Sequence, residues 1–281
     1  LMSVNPDSIF HQKIFYASRL TLFSGNPIPF SFCLLGISIF CLADFKNSDN
    51  HAKFFSILLF LIGAYFAGYM SGTRGTILTI IIIAPLIIFQ LTNNLKTSLL
   101  IIFFLALFFL ISITIALTLG LEFPYFSRIS KGLDTIFLSK NSDSSILDRL
   151  EMWSAAMKAI SNQPIFGYGI TDRFGALKPY LNDSNLQYTH PHNDIIASII
   201  ASGITGSMFA IISIISALLA VMTAKYRSTQ KLLMGLMVSI SALITASTST
   251  VFFNDISSAW LAFSAYLIWA TDFKDEPPSG K

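Results

Sequence analysis

The chain has 281 residues, of which 53% are hydrophobic and only 12% are charged, and its mean hydropathy is +0.66. Soluble domains carry about 25% charged residues, so this composition predicts an integral membrane protein and excludes a cytosolic enzyme, a disordered segment and a disulfide-stabilised secreted domain. The net charge of +3, from 18 basic and 15 acidic residues, is too small to indicate a nucleic-acid partner.

Seven charge-free stretches of the chain are long enough, or nearly long enough, to cross a bilayer as helices, which takes about 17–25 apolar residues. In chain order they are 27–42, 54–73, 75–95, 97–121, 195–224, 232–254 and 256–271. The fifth is too long for one crossing, and we expect Gly203 and Gly206 to divide it into a short interfacial helix and a full span. Because lipid offers the backbone no hydrogen-bond partner, the pattern predicts an all-α, polytopic transmembrane helical bundle.

The basic residues of the short loops predict the orientation, because Lys and Arg concentrate on the cytoplasmic side. Four short segments hold eight basic residues, whereas the short loops on the opposite side hold only Arg74. These four segments are 43–53, 92–97, 225–231 and the tail 272–281. We therefore expect residues 1–27 and the loop 122–194 to lie outside, in the periplasm of a Gram-negative bacterium. An external N-terminus without a preceding span, in a chain that begins with Leu, predicts that earlier spans are missing.

The hydropathy pattern divides the chain into four regions. They are a membrane region with four spans (1–121), a large, partly helical periplasmic loop (122–194), an interfacial helix with three spans (195–272) and a cytoplasmic tail (273–281). The loop is the one polar stretch of domain-like length, and loops of this length are usually functional. We therefore expect the catalytic motifs in the loop.

One helix is predicted inside the loop. Residues 145–148 resemble a capping box that begins a helix, and Pro164 ends it. An apolar stripe at helical spacing follows the capping box, formed by Ile146, Leu150, Trp153, Met157 and Ile160. Arg149 lies at the edge of this stripe near the helix start, where a basic residue opposes the helix dipole and is better suited to binding an anion. The alternative is a solvated or snorkelling arginine.

The end of the loop carries glycines and histidines. Gly167 and Gly169 lie in a turn that either contacts a phosphate group or is a plain turn. His190 and His192 come just before an apolar helix, for which Asn193 or Asp194 is a suitable N-cap. The proline between the histidines disfavours a metal pair, and proton transfer suits a side chain that titrates near neutral pH. The alternative is that both rings only anchor the loop to the membrane surface.

Arg74 lies in a turn of a few residues between two spans, on the same predicted outer side as the histidines. The guanidinium group is a planar fork that matches the oxygens of a phosphate group. The alternative is an arginine that snorkels to the membrane interface.

These motifs together resemble the bacterial O-antigen ligase and O-antigen polymerase superfamily of membrane glycosyltransferases. Five stretches carry the resemblance, in the order and spacing typical of the family: Ser71-Gly-Thr-Arg-Gly75, Ser145-Ile-Leu-Asp-Arg-Leu-Glu-Met-Trp153, Gln163-Pro-Ile-Phe-Gly-Tyr-Gly169, His190-Pro-His-Asn-Asp194 and Gly203-Ile-Thr-Gly206. Arg19, with residues 25–27, resembles a further and looser family element. Family members commonly have about a dozen spans, so the resemblance implies that this chain corresponds to the C-terminal two-thirds.

The resemblance implies a transferase of the bacterial inner membrane that takes a glycan from undecaprenyl diphosphate on the periplasmic face. Carried over by motif, Arg74 and Arg149 hold the diphosphate, His192 is the base that activates the acceptor hydroxyl group, and His190 is the second choice. Arg19, Gly167 and Gly169 are further candidates for substrate binding. The implied acceptor is lipid A core or a growing glycan, and the resemblance implies no metal and no cofactor.

Two classes of function remain open. The first is this glycan transferase, either an O-antigen ligase or a polymerase of O-antigen or exopolysaccharide. The second is a polysaccharide transporter or flippase, for which acidic or basic residues inside the spans are expected. The predicted spans contain none, which favours chemistry at the membrane surface over transport.

Overall fold

A computed structural model describes residues 27–43, 45, 48–71, 73–92, 94–118, 144–170, 175–181, 191–248 and 255–271. Within these ranges every regular element is helical, as the sequence predicts. The α-helices are α1 (Pro27–Phe40), α2 (Asn50–Tyr65), α3 (Arg74–Thr92), α4 (Leu95–Thr118), α5 (Ser144–Asn162), α6 (Asp194–Ile214), α7 (Ser216–Thr223), α8 (Thr229–Thr248) and α9 (Asp255–Ala270). A π-helical turn, Phe66–Met70, continues α2, and a 3₁₀ turn, Gly175–Tyr180, follows α5.

Each of the seven predicted stretches contains an apolar helix. Four are long and apolar enough to cross a bilayer: Asn50–Gly68, Arg74–Thr92, Asp194–Ile214 and Thr229–Thr248. Shorter apolar helices occupy the other three stretches. The all-α, multi-pass membrane architecture is therefore confirmed for the described part of the chain.

Helix α8 forms the centre of the bundle and packs against α1, α3, α6, α7 and α9. Small residues on α8 make this close packing possible, since association of helices in lipid depends on van der Waals contact and not on a hydrophobic driving force. A Cβ atom added at Gly235 would lie only 2.9 Å from Val221 Cγ2 and 3.1 Å from the Ala217 carbonyl oxygen. The backbones of α7 and α8 therefore touch at this position.

The start of α3 and the end of α8 lie together. A Cβ atom at Gly75, at the start of α3, would lie 2.7 Å from Thr248 Oγ1 at the end of α8, so these two helices are antiparallel. Arg74, the first residue of α3, therefore lies at this end of the bundle.

The opposite end of the bundle carries the turn between α7 and α8. Here the Gln90 side chain, near the end of α3, donates a hydrogen bond of 2.7 Å from Nε2 to the Leu42 carbonyl oxygen. Arg227, in the turn before α8, is exposed and donates to the Met222 carbonyl oxygen. Arg74 and Arg227 thus lie at opposite ends, as the distribution of basic residues predicts.

The long fifth stretch is interrupted at Gly203, one of the two predicted glycines, and it is divided a second time at Ile215, between α6 and α7. Gly203 has φ 65° and ψ −156°, which interrupts the helix, whereas Gly206 lies within regular helix. A Cβ atom at Gly206 would press on Ser202 and on the Ser198 carbonyl oxygen, so this glycine serves close packing. The helix before the break, residues 194–202, extends about 13 Å.

The loop helix α5 is present and ends before Pro164 as predicted, but the predicted packing face is only partly right: Ile146, Trp153 and Ile160 are half-buried, and the other two stripe residues are exposed. Leu150 and Met157 of the predicted stripe are 47% and 59% exposed. The buried face consists of Met152, Ala155, Ala156 and Ala159. The alanines allow α5 to approach α6 and the 3₁₀ turn closely, where Leu177 and Ile200 complete a small core.

Candidate active site

The turn after α5 is fastened to the break in α6 by backbone hydrogen bonds. Tyr168 N donates to the Ile200 carbonyl oxygen at 2.8 Å, and Gly169 N donates to the Ala201 carbonyl oxygen at 2.9 Å. In the other direction, Ile204 N donates to the Pro164 carbonyl oxygen at 2.9 Å. The broken helix leaves backbone groups without intrahelical partners, and the turn supplies those partners.

The two glycines of this turn have different surroundings. Both have positive φ angles, 65° at Gly167 and 84° at Gly169, a region that L side chains rarely adopt. A Cβ atom at Gly167 would lie 2.5 Å from the Ile200 carbonyl oxygen, whereas a Cβ atom at Gly169 would meet nothing within 4 Å. The N–H groups of residues 167–169 all donate to backbone carbonyl groups. The turn thus uses its amides to hold α5 against α6, and none of these three N–H groups is directed to a phosphate ligand.

Gly167→Ala and Gly169→Ala form a matched pair for testing this packing. Both variants place a Cβ on a residue with positive φ, which costs about 1–2 kcal/mol. Only Gly167→Ala also forces a backbone clash, which adds about 1–3 kcal/mol of overpacking. Thermal unfolding of the purified variants in detergent should therefore show a markedly larger loss of stability for Gly167→Ala. Equal losses would contradict the close contact between the turn and α6.

The backbone around His192 is held from two sides. The Trp153 indole on α5 donates a hydrogen bond of 2.8 Å from Nε1 to the Pro191 carbonyl oxygen. On the other side, Asn193 is the N-cap of α6, as predicted: its Oδ1 accepts from Ile195 N at 3.0 Å and Ile196 N at 3.1 Å. His192 itself is half-buried and has φ 51°. A left-handed backbone at a residue other than glycine costs energy and is found often at functional sites.

Arg149 lies on α5 one turn before Trp153, on the same side of the helix as the indole that contacts the histidine segment. The side chain of Arg149 is half-buried. The contact between Trp153 and Pro191 therefore brings the helix that carries Arg149 to the residue that precedes His192. Asp194, which follows in the first turn of α6, is fully buried and lies where a carboxylate favours the helix dipole.

Arg74 is the first residue of α3 and is half-buried. Helix α3 has 19 residues and no acidic residue in its own first turn. A helix N-terminus attracts anions through its N–H groups and its dipole. The guanidinium charge of Arg74 and the positive end of this helix dipole therefore lie at the same end of α3.

The contact between Trp153 and Pro191 links the helix that carries Arg149 to the segment of His192. His192 is separated from the break in α6 by the short first part of that helix, which extends about 13 Å. Ile195, in the first turn of that part, packs against the main core. Arg74 lies on a different helix, at the start of α3. His190 and Arg19 lie outside the described residues.

Comparison with known proteins identifies the family. A family model described as O-antigen ligase matches residues 56–211, which is more than half of the chain. The chain belongs to the O-antigen ligase family. The match contains Arg74, Arg149, both histidines and the glycine turn, whereas Arg19 lies before it.

One curated relative is the ComP-specific O-oligosaccharyltransferase of Acinetobacter baylyi. It is 26% identical over 208 residues, which cover 69% of this chain and 35% of the relative. The chain thus spans about a third of the length of this curated relative.

Two features around the candidate residues are not evident from the sequence pattern. Trp153 reads as one apolar residue of a stripe, yet its indole N–H donates to the Pro191 carbonyl oxygen just before His192. Buried hydroxyl groups lie beside Arg74. The sequence signal for them is the alternation of Ser71 and Thr73 directly before the arginine.

Proposed function

We propose that this member of the O-antigen ligase family transfers a glycan from undecaprenyl diphosphate to an acceptor hydroxyl group at the periplasmic face of the bacterial inner membrane. The acceptor we favour is lipid A core, which makes the reaction O-antigen ligation. The reaction needs no metal in this proposal, because the donor already carries a good leaving group.

The position of Arg74 at the N-terminus of α3 carries the proposal. A diphosphate needs positive charge where its own charge increases as the glycosidic bond breaks. In the proposed site, Arg74 and the positive end of α3 supply this charge. Arg149, on the helix that contacts the segment of His192, is the second contact to the diphosphate.

The proposed reaction is a single displacement at the anomeric carbon. The acceptor hydroxyl oxygen forms a bond to the anomeric carbon, and the bond from that carbon to the diphosphate oxygen breaks. His192 accepts the proton of the hydroxyl group as a general base. The electron pair leaves with undecaprenyl diphosphate, whose charge Arg74 and Arg149 stabilise.

A different acceptor is the second candidate. The name of the A. baylyi relative specifies transfer of an oligosaccharide to an oxygen of ComP. A ComP-like acceptor would need the same donor site and the same base, because the attacking group is again a hydroxyl oxygen. Polymerisation of the glycan is a third outcome with the same chemistry.

Deletion of the gene from the source organism, followed by analysis of glycans, tests the proposal. Ligation predicts that lipid A core loses its polymer while full-length polymer accumulates on the lipid carrier. Glycan reduced to single repeats would indicate a polymerase, and an unchanged lipopolysaccharide with loss of protein-linked glycan would indicate the ComP-like acceptor. Carrier-linked glycan trapped on the cytoplasmic face would instead indicate a flippase and reject the transferase.

The orientation makes a separate prediction. Arg74 should face the periplasm, and Lys96 and Arg227 should face the cytoplasm, because of the unequal distribution of basic residues. Single cysteines introduced into a variant without Cys33 and Cys41 can be labelled with an impermeant reagent in spheroplasts. We expect labelling at position 140, in the long loop, and none at position 96; the reverse result would invert the membrane topology.

A further inference from the structure

A network of buried hydroxyl groups lies directly beside Arg74. It consists of Ser31 on α1, Ser71 and Thr73 in the turn before α3, and Thr76 on the first turn of α3. We call these four residues the hydroxyl network. None of them is more than 6% exposed.

Thr73 is the hub of the hydroxyl network. Its Oγ1 lies 2.7 Å from Thr76 Oγ1, 2.9 Å from Ser71 Oγ and 3.2 Å from Ser31 Oγ. Ser31 Oγ also lies 2.8 Å from Thr76 Oγ1, which closes the group. Two separate segments of the chain, α1 and the turn that leads into α3, therefore meet at the residue that immediately precedes Arg74.

The direction of the hydrogen bonds follows from the backbone contacts of the two serines. Ser31 Oγ donates to the Ile28 carbonyl oxygen at 2.8 Å, and Ser71 Oγ donates to the Ala67 carbonyl oxygen. Each hydroxyl group has one proton, so the two serine oxygens can only accept from the other members of the network, and Thr73 donates its proton to one of its three hydroxyl neighbours. The two serine bonds to backbone carbonyl groups tie the network to α1 and to the π-helical turn.

This arrangement exceeds what the turn needs for helix capping alone. A threonine before a helix normally uses its hydroxyl oxygen to accept a backbone N–H of the first turn. Thr73 instead directs its hydroxyl group to other hydroxyl groups, one of them on α1. A buried, connected polar network of this kind favours a single geometry. Here that geometry fixes the position of the backbone of Arg74.

We infer that Thr73, with the hydroxyl network around it, is a positioning residue that aims the Arg74 guanidinium at the donor diphosphate. This inference rests on the proposed function. Small displacements of a group that binds the reacting part of a substrate have large effects on rate. Loss of the Thr73 hydroxyl group should therefore reduce use of the donor even though it touches no substrate.

The test compares three single variants of the purified chain reconstituted in liposomes, with undecaprenyl-diphosphate-linked glycan as donor and lipid A core as acceptor. Thr73→Val keeps the shape and removes the hydroxyl group, whereas Thr73→Ser keeps the hydroxyl group. Thr79→Val is the matched control, since Thr79 is equally buried on α3 but donates only to the Gly75 carbonyl oxygen of its own helix. We expect kcat/KM for the donor to fall about tenfold in Thr73→Val, the equivalent of about 1.4 kcal/mol. Thr73→Ser keeps the hydroxyl group, and Thr79→Val loses only a hydrogen bond within its own helix, so both variants should stay within about twofold of the parent.

Combination with Arg74→Ala separates positioning from a general structural effect. If Thr73 acts through Arg74, Thr73→Val should cause no further loss in the Arg74→Ala background, and the KM for the acceptor should not change.

An equal loss in both backgrounds, or a parent-like rate for Thr73→Val, would overturn the inference while leaving the proposed function intact. A parent-like rate for Arg74→Ala would instead reject the diphosphate role of Arg74, and with it this inference. If Thr73→Val does not fold, Ser31→Ala removes another member of the network and should give the same dependence on Arg74.

Discussion

Replacing His192 with asparagine should lower the rate of glycan transfer by about 10²–10⁴-fold, the range typical for loss of a general base. Asparagine disturbs the fold less than alanine would, because His192 has φ 51° and asparagine tolerates a left-handed backbone. The variant should therefore fold and keep the cap of α6 while it loses the group that accepts the proton. Transfer of glycan by the purified variant in liposomes measures the effect.

Binding of the donor separates a chemical role of His192 from a structural one. Donor binding should survive His192→Asn, because the diphosphate contacts belong to Arg74 and Arg149 in the proposed site. The parent enzyme should lose activity as the pH falls through the pKa of its base, since only the neutral ring accepts a proton. His190→Ala should be milder. If folded His192→Asn protein transfers glycan at the parent rate, His192 is not the general base. If His190→Ala protein is inactive instead, His190 is the general base.

Replacing Arg74 with lysine should damage transfer nearly as much as replacing it with alanine. A lysine ammonium group is a point charge and cannot form the two parallel hydrogen bonds that a guanidinium group offers to a phosphate. Loss of a charge-assisted contact costs about 1.5–3 kcal/mol, which corresponds to a decrease of about ten- to a hundredfold in rate. Donor-dependent transfer rates of Arg74→Lys and Arg74→Ala provide the measurement.

Arg227→Lys is the matched control for this experiment. Arg227 lies at the opposite end of the bundle, is exposed, and donates to the Met222 carbonyl oxygen. Loss of such an exposed contact should leave the transfer rate near that of the parent. Near-parental transfer by Arg74→Lys would show that a simple positive charge suffices, as expected for an arginine that only snorkels to the interface.

Several features of the fold follow from local sequence alone. Charge-free stretches became helices because the backbone in lipid must satisfy its own hydrogen bonds. Asn193 caps α6 because its short side chain reaches the first N–H groups of the helix. Gly203 breaks α6 since glycine adopts a positive φ at little cost. Each of these outcomes depends on a residue and its immediate neighbours.

The packing face of α5 could not be predicted in the same way. The sequence offers two faces of this helix, one with large apolar residues and one with alanines, and hydrophobicity favours the first. The structure buries Ala155, Ala156 and Ala159 against α6 and the 3₁₀ turn. Close approach of the backbones decides the outcome, and this approach depends on partners that are distant in the chain.

The sequence by itself determined the class of protein, the helices and their breaks, and the motifs that place the chain in the O-antigen ligase family. Only the tertiary structure decided which residues hold those motifs in place. Trp153 bonds to Pro191, 38 positions away in the chain, and Thr73 bonds to Ser31, 42 positions away. Both contacts join side chains to groups that no local pattern connects. Their physical basis is the need of buried polar groups for a partner, and the fold alone determines which partner is near.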